Sequence, residues 1–282
     1  MLYETIDLYE YFKIPRNANA GGQLTVYAPS RNGELKEKIR PAAIVCPGGG
    51  YGMVSAREAE PVCLKFLAAG YAAFCLNYTT HTAYPVPLIE AAMAAAYVRK
   101  NAKKYHVDAE KLCVVGFSAG GHLAGMLAIL SNDGAVSAAL KGDAELAYVN
   151  AAVLCYAVVA TDPALTHGST ANIISGGDEA LRERLSLEKR VTKNSAPAFI
   201  WHTFEDGHVP VENALRLASA YRAAGAACEL HVFEHGIHGL SLANEETADA
   251  PDTPLYNEHV QAWLPLALGW LKRRGFAVRA AE

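Results

Sequence analysis

The sequence contains no long hydrophobic run and no basic block. No stretch approaches the roughly 18 to 20 uninterrupted apolar residues of a membrane-spanning helix, and lysine and arginine do not cluster in a chain whose formal net charge is -4. We therefore expect no membrane partner and no nucleic acid partner. The N-terminus, MLYETIDLYEYF, contains acidic residues and lacks a basic segment followed by an apolar one. It does not resemble a secretory signal, so we expect a cytoplasmic protein.

Cysteine patterns for disulfide bonds or metal binding are also missing. The six cysteines include no CxxC pair, and four of them lie inside apolar runs such as AAIVCPG and KLCVVG. This pattern is typical of buried free thiols rather than of a disulfide framework or a zinc site. The histidines form neither HExxH nor a Cys/His finger spacing, and His202 and His231 lie in predicted strands, where hydrogen bonds usually satisfy single histidines. We expect no metal and no cofactor.

The chain does contain a regular alternation of strand and helix patterns. Over 282 residues, 51% of them hydrophobic, short apolar runs alternate with longer helical segments. Most runs are continuously apolar, which indicates parallel strands covered on both faces and joined by βαβ connections. The strands are predicted at 23–29, 42–48, 71–78, 111–117, 151–159, 197–203 and 228–235, and the helices at about 56–69, 87–104, 118–131, 211–224 and 256–274.

These elements predict an α/β fold of three layers, with a mainly parallel eight-stranded sheet and helices on both faces. The first run, 23–29, is expected to pair antiparallel at an edge of the sheet. The segment 160–195 is richer in polar residues, glycine and charge, and we interpret it as a small insertion above the sheet with a short helix. The whole chain, residues 1–282, is thus expected to form one domain.

A candidate nucleophile lies between a predicted strand and a predicted helix. The residues are Gly116-Phe117-Ser118-Ala119-Gly120, which match the pattern G-x-S-x-G. The strand KLCVVG and the helix GGHLAGMLAIL on either side give the strand–turn–helix setting of a nucleophile elbow. Such a turn strains the serine backbone, and the small residues at 116 and 120 let strand and helix approach closely. The alternative, Ser118 as an ordinary helix cap, is disfavoured by this context.

A glycine-rich loop follows the strand AAIVC. Its residues are Pro47-Gly48-Gly49-Gly50-Tyr51. The loop resembles the HGGG-type loop of lipases and esterases, in which glycines let backbone N–H groups point at a developing oxyanion. Gly49 is the first candidate donor, Gly48 the second and Gly50 a third, and Ala119 should supply the other N–H. Pro47 replaces the histidine of many esterases, which affects the support of the loop rather than its donors. A phosphate-binding loop is disfavoured because no GK[S/T] or GxGxxG spacing is present.

A general base and its acid are expected in the chain order serine, acid, histidine. His238 lies in the loop Gly-Ile-His-Gly after the last predicted strand, and an imidazole has a pKa near working pH; His235 is the alternative. Asp206 follows the preceding strand in the turn FEDGHVP and would orient the imidazole. Glu205 and Asp162 are the alternative acids.

Several further side chains are candidates for the surroundings of the site. Tyr51 and Tyr84 are predicted to bind substrate, and Met53, Tyr78 and the segment 160–195 are further candidates for the pocket wall. Packing in the core or in a loop is the alternative role for each of them. His122, four residues after Ser118 on the helix of the elbow, is expected to support a loop, with a place in the pocket as its alternative.

Six segments together resemble a known family. They are PGGGY, LNY at 76–78, YPVPL at 84–88, GFSAGGHLA at 116–124, EDGHVPVEN at 205–213 and HGIHGL at 235–240. They are similar to bacterial α/β-hydrolases of the acetylxylan-esterase-like and hormone-sensitive-lipase-like carbohydrate esterase family, from about residue 20 to 275. The resemblance implies the α/β-hydrolase fold, with Ser118, Asp206 and His238 as catalytic triad and the PGGG loop plus Ala119 as oxyanion hole. It also implies a small acyl ester substrate, often an acetylated sugar or xylo-oligosaccharide.

We therefore expect a serine carboxylesterase that cleaves small acyl esters, in particular acetyl esters of xylo-oligosaccharides, through an acyl-enzyme intermediate. A formamidase-like amide hydrolase on the same fold and a non-catalytic binding module are the alternatives, although no triad member is missing. Peptidases of this fold usually carry an added propeller or large cap, for which the chain has no room. The expected partner is a small-molecule ester, and the oligomeric state, a homo-oligomer included, is open.

Overall fold

The structure is a computed structural model, and it describes residues 1–16, 21–30, 33–34, 36–130, 133–166 and 168–281. The strands in these ranges are β1 (Leu2–Asp7), β2 (Gln23–Ala28), β3 (Lys38–Cys46), β4 (Ala72–Asn77), β5 (Val107–Phe117), β6 (Ala151–Cys155), β7 (Ala198–Thr203), β8 (Cys228–Phe233) and β9 (Arg279–Ala280). The α-helices are α1 (Leu8–Phe12), α2 (Glu60–Ala68), α3 (Val86–Lys100), α4 (Ala102–Tyr105), α5 (Ser118–Ile129), α6 (Gly134–Leu140), α7 (Gly168–Ser175), α8 (Glu179–Arg184), α9 (Glu212–Ala224) and α10 (Trp263–Arg273).

Eight strands form a continuous sheet in the order β1-β2-β4-β3-β5-β6-β7-β8, and β9 pairs antiparallel with the start of β3. The neighbours from β4 to β8 are parallel, whereas β2 is antiparallel to both β1 and β4. The prediction of a mainly parallel eight-stranded sheet is confirmed, with β9 as a short addition. Parallel strands end at the same edge, so the loops after β3, β5, β7 and β8 meet there.

The prediction that 23–29 lies at the edge of the sheet is wrong. This run forms β2 and pairs antiparallel with β4 as expected, but β1 covers its other side from Leu2↔Ala28 to Asp7↔Gln23. No β1 residue is fully buried, and its sequence LYETID mixes charged and apolar side chains. Backbone pairing therefore contributes more to this strand than side-chain burial does, and the hydrophobic signal of the strand is weak.

The sheet separates two hydrophobic cores. Successive side chains of a strand point to opposite faces; in β3, Ile44 packs in one core and Val45 in the other. Helices α3, α5 and α9 complete the first core, and α2 and α10 complete the second. This arrangement confirms the three-layer α/β prediction, and it explains why the central strands contain continuous apolar runs.

The cysteines behave as the sequence predicted. All six are free thiols; five are buried and Cys228 is partly exposed. Burial raises the pKa of Cys228 to about 11, because an apolar environment disfavours the charged thiolate. Its thiol therefore stays protonated at neutral pH, and the other five are covered by the two cores.

The segment predicted as an insertion connects β6 to β7 and contains short helices joined by turns and loops. It contains α7, α8 and a 3-10 turn at Leu187–Lys189, so the predicted short helix is present and α7 is an additional one. Leu187 anchors the segment on α5, where a Cβ added to Gly125 would lie 2.4 Å from the leucine side chain. His167, within the predicted insertion, lies outside the described residues.

No single helix among the described residues is long and apolar enough to cross a bilayer. The segments Ser118–Ile129 and Gly134–Leu146 reach such a length and hydropathy only when they are taken together, and the pair is bent by 82°.

Replacing Gly120 with alanine is expected to lower the free energy of unfolding by about 1–3 kcal/mol. A Cβ at this position would lie 2.2 Å from the carbonyl oxygens of Cys46 and Pro47, so the backbone would have to move. Urea titration measures the loss. The control Gly134→Ala adds a methyl group where nothing lies within 4 Å, and it should change stability by less than about 1 kcal/mol. Equal stabilities of the two variants would contradict the close approach.

Candidate active site

Ser118 lies on a sharp turn between β5 and α5. Its φ angle is 53°, a left-handed conformation that is strained for a serine. The turn is this tight because Gly116 and Gly120 touch: a Cβ added to Gly116 would lie 2.3 Å from the Gly120 carbonyl oxygen. The sequence therefore folds into the predicted elbow, which presents the Ser118 hydroxyl at the carboxyl edge of the sheet.

The structure brings Ser118, His238 and Asp206 into one chain of hydrogen bonds. Ser118 Oγ lies 2.8 Å from His238 Nε2, and His238 Nδ1 lies 2.6 Å from Asp206 Oδ2. The three residues follow β5, β8 and β7, parallel strands whose carboxyl ends lie at the same edge of the sheet. This is the arrangement of a nucleophile, a general base and an orienting acid.

The alternative residues lie elsewhere. His235 and Glu205 pair with each other at 3.0 Å, and both side chains are exposed. Asp162 is exposed and accepts a hydrogen bond from the backbone N–H of Ala164, two residues along the chain. These three residues therefore make other contacts and take no part in the hydrogen bonds that join Ser118, His238 and Asp206.

Asp206 is buried and accepts hydrogen bonds at both carboxylate oxygens. Oδ1 accepts from the backbone N–H groups of His208 and Val209, each at 2.9 Å. Oδ2 accepts from His238 and lies 3.3 Å from Nε2 of the buried His202. Burial alone would raise the pKa of Asp206, but the N–H donors, with His202 and His238 first, outweigh it and hold the pKa well below its usual range. Asp206 is therefore ionised and can stabilise the imidazolium that forms when His238 accepts a proton.

The role of His202 beside Asp206 was missed by sequence reasoning. Its Nε2 donates to the Val209 carbonyl oxygen at 2.8 Å, so this nitrogen carries the proton. The expectation that hydrogen bonds satisfy this strand histidine is met at Nε2, but the contact with the candidate acid was not foreseen. The position of His202 could have revealed this contact, because His202 lies near the end of β7 and precedes Asp206 by four residues.

The glycine-rich loop after β3 is braced by four groups. Tyr78 Oη donates to the Pro47 carbonyl oxygen at 2.8 Å. The Gly48 carbonyl accepts from the N–H of Ser55, and the Gly49 carbonyl accepts from the N–H groups of Gly52 and Met53. The carbonyl groups of Pro47, Gly48 and Gly49 are therefore each held by at least one hydrogen bond.

The donors of this loop differ partly from the prediction. Gly48 N–H donates to Glu58 Oε2 at 2.7 Å, so the prediction of Gly48 as an oxyanion donor is wrong. Within the described ranges, no acceptor is bound to the N–H of Gly49 or Gly50, and both glycines line the cavity. Ala119 lies in the first turn of α5, where N–H groups have no partner within the helix. Gly49, Gly50 and Ala119 are the N–H groups available to an oxyanion.

The predicted substrate-binding roles of Tyr51 and Tyr84 are wrong. Tyr51 is fully buried, and its hydroxyl bonds to His122 Nδ1 at 2.9 Å. Tyr84 donates to the Asp133 carboxylate at 2.8 Å, away from the cavity. Tyr78 supports the loop from below instead of lining the pocket. Of the aromatic and apolar candidates around the loop, Met53 alone belongs to the cavity wall.

A cavity of about 620 Å³ opens above Ser118 and His238. The segment 160–195 contributes Ser169 and Thr170 to its wall, as the insertion hypothesis expected. Its other lining residues include Gly49, Gly50, Met53, Ser55, Arg57, Glu58, Val158, His208, Val209 and Gly239. The wall is thus mostly small or polar. In the part of the chain that the structure describes, no three His, Cys, Asp or Glu side chains are grouped so that they could hold a metal ion.

Acidification is expected to destabilise the fold through His122, which is fully buried and donates from Nε2 to the Leu185 carbonyl oxygen. Burial lowers the pKa of His122 to about 4, against about 6.5 for an exposed histidine. Between these values the unfolded chain binds a proton that the folded chain does not, so stability present above pH 6.5 is lost as the pH falls toward 4. The loss should reach about 2 kcal/mol by pH 5.

Urea unfolding at pH 7 and pH 5 measures this loss. His122→Gln lacks the titrating group, so it should be less stable than the wild type at pH 7 but should lose less on acidification. Parallel pH dependence of the wild type and the variant would contradict the role of His122.

A sheet of this topology, with a serine on a strained elbow and an imidazole and a carboxylate on the following loops, defines an α/β-hydrolase. Residues 24–221 match the family model described as BD-FAE, which covers more than half of the chain. The chain therefore belongs to this family, whose relatives include carboxylic ester hydrolases.

Two curated relatives show the similarity in sequence. Endo-1,4-beta-xylanase B from Butyrivibrio fibrisolvens is 36% identical over 78% of this chain and 35% of its own length. Acetylxylan esterase from Xylanibacter ruminicola is 29% identical over 74% of this chain and 43% of its own length. The chain thus spans less than half the length of these relatives.

Solved structures match over nearly the whole chain. The acetyl ester-xyloside bifunctional hydrolase from Caldicellulosiruptor lactoaceticus has a TM-score of 0.81 and 32% identity, over 97% of both chains. The carboxylesterase Cest-2923 from Lactobacillus plantarum has a TM-score of 0.81 and 29% identity, over 100% of both chains. These matches confirm the predicted α/β-hydrolase fold.

Proposed function

We propose that this chain is a serine carboxylesterase that hydrolyses small acyl esters, acetyl esters above all. The observation that carries the proposal is the unbroken hydrogen-bond chain from Asp206 through His238 to Ser118, at the floor of a cavity with unclaimed backbone N–H groups. A hydroxyl activated in this way beside oxyanion donors is suited to acyl transfer. The side chains of the triad and the backbone N–H groups together supply the groups that this reaction needs.

The reaction proceeds in two steps. Ser118 Oγ attacks the ester carbonyl carbon and transfers its proton to His238 Nε2, while the carbonyl electron pair moves to oxygen. Gly49, Gly50 and Ala119 supply N–H groups to this oxyanion, and Asp206 stabilises the imidazolium. As the tetrahedral intermediate collapses, the alcohol leaves with the proton from His238. Water then attacks the acyl-enzyme with His238 as base and releases the acid.

Acetylated xylo-oligosaccharides are the proposed natural substrates. The support is the similarity of the chain to two proteins, an acetylxylan esterase and an acetyl ester-xyloside bifunctional hydrolase. The wall of the cavity is compatible with a hydroxyl-rich alcohol, because Arg57 and Thr170 bring polar groups to the space above Ser118. Small residues such as Gly49, Gly50 and Val158 suit a short acyl group.

An activity panel with a covalent probe tests the proposal. The substrates are p-nitrophenyl esters of increasing acyl length, acetylated xylo-oligosaccharides and N-formyl amides; the probe is a fluorophosphonate, compared on the wild type and Ser118→Ala. We expect hydrolysis of acetyl esters and labelling of the wild type alone. Faster cleavage of the amides would favour an amide hydrolase, and absence of both turnover and labelling would indicate a binding module. Either result would contradict the proposal.

A further inference from the structure

Glu58 is a buried carboxylate in the wall of the active-site cavity that the mechanism above does not use. It is 3% exposed, and both of its oxygens accept hydrogen bonds. Oε2 accepts from Gly48 N–H at 2.7 Å, and Oε1 accepts from Tyr156 Oη at 2.6 Å. Burying a charge is costly unless it is fully hydrogen-bonded, so a carboxylate at this place calls for an explanation.

The first contact of Glu58 leads to the oxyanion loop. A Cβ added to Gly48 would lie 2.8 Å from Glu58 Oε2 and 3.0 Å from Ser118 Cβ, so Gly48 fills the gap between the carboxylate and the nucleophile. Because Glu58 binds the Gly48 N–H, the unclaimed donors of the loop are those of Gly49 and Gly50. The carboxylate thus fixes which part of the loop is presented to a reacting carbonyl.

The second contact leads to the loop of the general base. Burial, and then the neighbouring Glu58 carboxylate, raise the pKa of Tyr156 well above its ordinary value, so its phenol stays protonated and donates to Glu58. The same hydroxyl accepts from the N–H of Ser241 at 2.8 Å, three residues after His238. The Tyr156 ring also packs edge-on against the His238 imidazole, with centroids 5.1 Å apart.

We propose that Glu58 is a positioning residue, which sets the oxyanion donors and the His238 imidazole relative to each other by holding Gly48 with one oxygen and Tyr156 with the other. This inference rests on the proposed esterase function. Glu58 acts through these two neighbours. Its contribution is to keep the oxyanion donors and the imidazole in the positions that stabilise the tetrahedral intermediate. Errors in such positioning reduce turnover strongly while substrate binding changes little.

Three variants test the proposal with p-nitrophenyl acetate as substrate. Glu58→Ala removes both contacts, and we expect kcat to fall by about 10- to 100-fold with KM within about threefold of the wild type. Glu58→Gln has a single accepting oxygen, so it can accept from Gly48 N–H or from Tyr156 Oη but not from both, and we expect a loss of about 5- to 20-fold. Glu60→Gln is the matched control, because Glu60 is exposed and bonds to Tyr27 outside the cavity; its kinetics should be unchanged.

A second readout separates positioning from general destabilisation. An aryl trifluoromethyl ketone forms a tetrahedral adduct with a catalytic serine, whose oxyanion needs the same N–H donors as the intermediate. Its inhibition constant should rise in each Glu58 variant by about the factor by which kcat falls. Thermal unfolding should show that the variants are folded at the assay temperature; if Glu58→Ala is not folded, Glu58→Gln decides.

The outcomes distinguish the two proposals. The role of Glu58 would be overturned if Glu58→Gln kept kcat and inhibitor affinity within twofold of the wild type. It would also be overturned if the variant raised KM and left kcat unchanged. Either result leaves the esterase proposal intact, because the wild type is active in both. A wild type that hydrolyses no ester and takes no fluorophosphonate label would overturn both proposals together.

Discussion

Replacing Ser118 with alanine is expected to lower kcat by on the order of 10³- to 10⁶-fold while the fold stays intact. The variant keeps the backbone N–H groups and the cavity but has no oxygen 2.8 Å from His238 Nε2 to attack an ester. Part of the catalysis survives because oxyanion donors still stabilise attack by water. Steady-state hydrolysis of p-nitrophenyl acetate measures the loss, and circular dichroism checks the fold.

Ser55→Ala is the matched control for this loss. Ser55 lines the same cavity, and its backbone N–H, which supports the Gly48 carbonyl, is kept in the variant. Its turnover should stay within a few-fold of the wild type. If Ser118→Ala retained near-wild-type turnover, Ser118 could not be the nucleophile, and the acyl-enzyme mechanism would have to be abandoned.

Asp206→Asn is expected to lower kcat by on the order of 10³- to 10⁴-fold. The carboxylate accepts at both oxygens, from the N–H groups of His208 and Val209 and from His238. An asparagine has one accepting oxygen, so its NH₂ group must face either the backbone donors or His238 Nδ1. Facing His238 it would favour the tautomer with the proton on Nε2, which cannot accept the Ser118 proton.

The comparison for this variant is Asp162→Asn, a change of the same kind at an exposed turn. Its kcat should equal that of the wild type. Because the Asp206 pKa is held well below its usual range, the wild-type activity should be insensitive to this carboxylate down to mildly acidic pH. Full activity of Asp206→Asn would show that another group orients His238.

The sheet could be predicted because each of its central strands contains a continuous run of buried apolar residues. β3 and β5 to β7 have this property, and they lie within a few residues of the predicted runs. β1 and α1 do not, since a half-exposed strand and a five-residue helix leave little periodicity to detect. β1 depends on pairing with β2, a long-range contact that local patterns do not encode.

The candidate nucleophile, base and acid could be placed because each depends on local turn chemistry at the end of a strand. The choice among the loop glycines could not, since it depends on Glu58, ten residues along the chain from Gly48. Tyr51 resembles a pocket residue in sequence, yet a partner 71 residues away, His122, draws its hydroxyl into the interior. Side-chain partners of this kind are set by the tertiary fold, so sequence patterns do not reveal them.

Because five of the six thiols are buried, their alkylation can report transient opening of the native structure. An alkylating agent can reach the fully buried Cys46, Cys63, Cys113 and Cys155 only in molecules whose sheet and helices have separated, whereas Cys75 is 8% exposed and Cys228 lies at the periphery. The rate at which alkylated species accumulate, followed by mass spectrometry, therefore measures how often the native molecule opens without any added denaturant. The same shielding protects the interior from oxidants for as long as the native state persists.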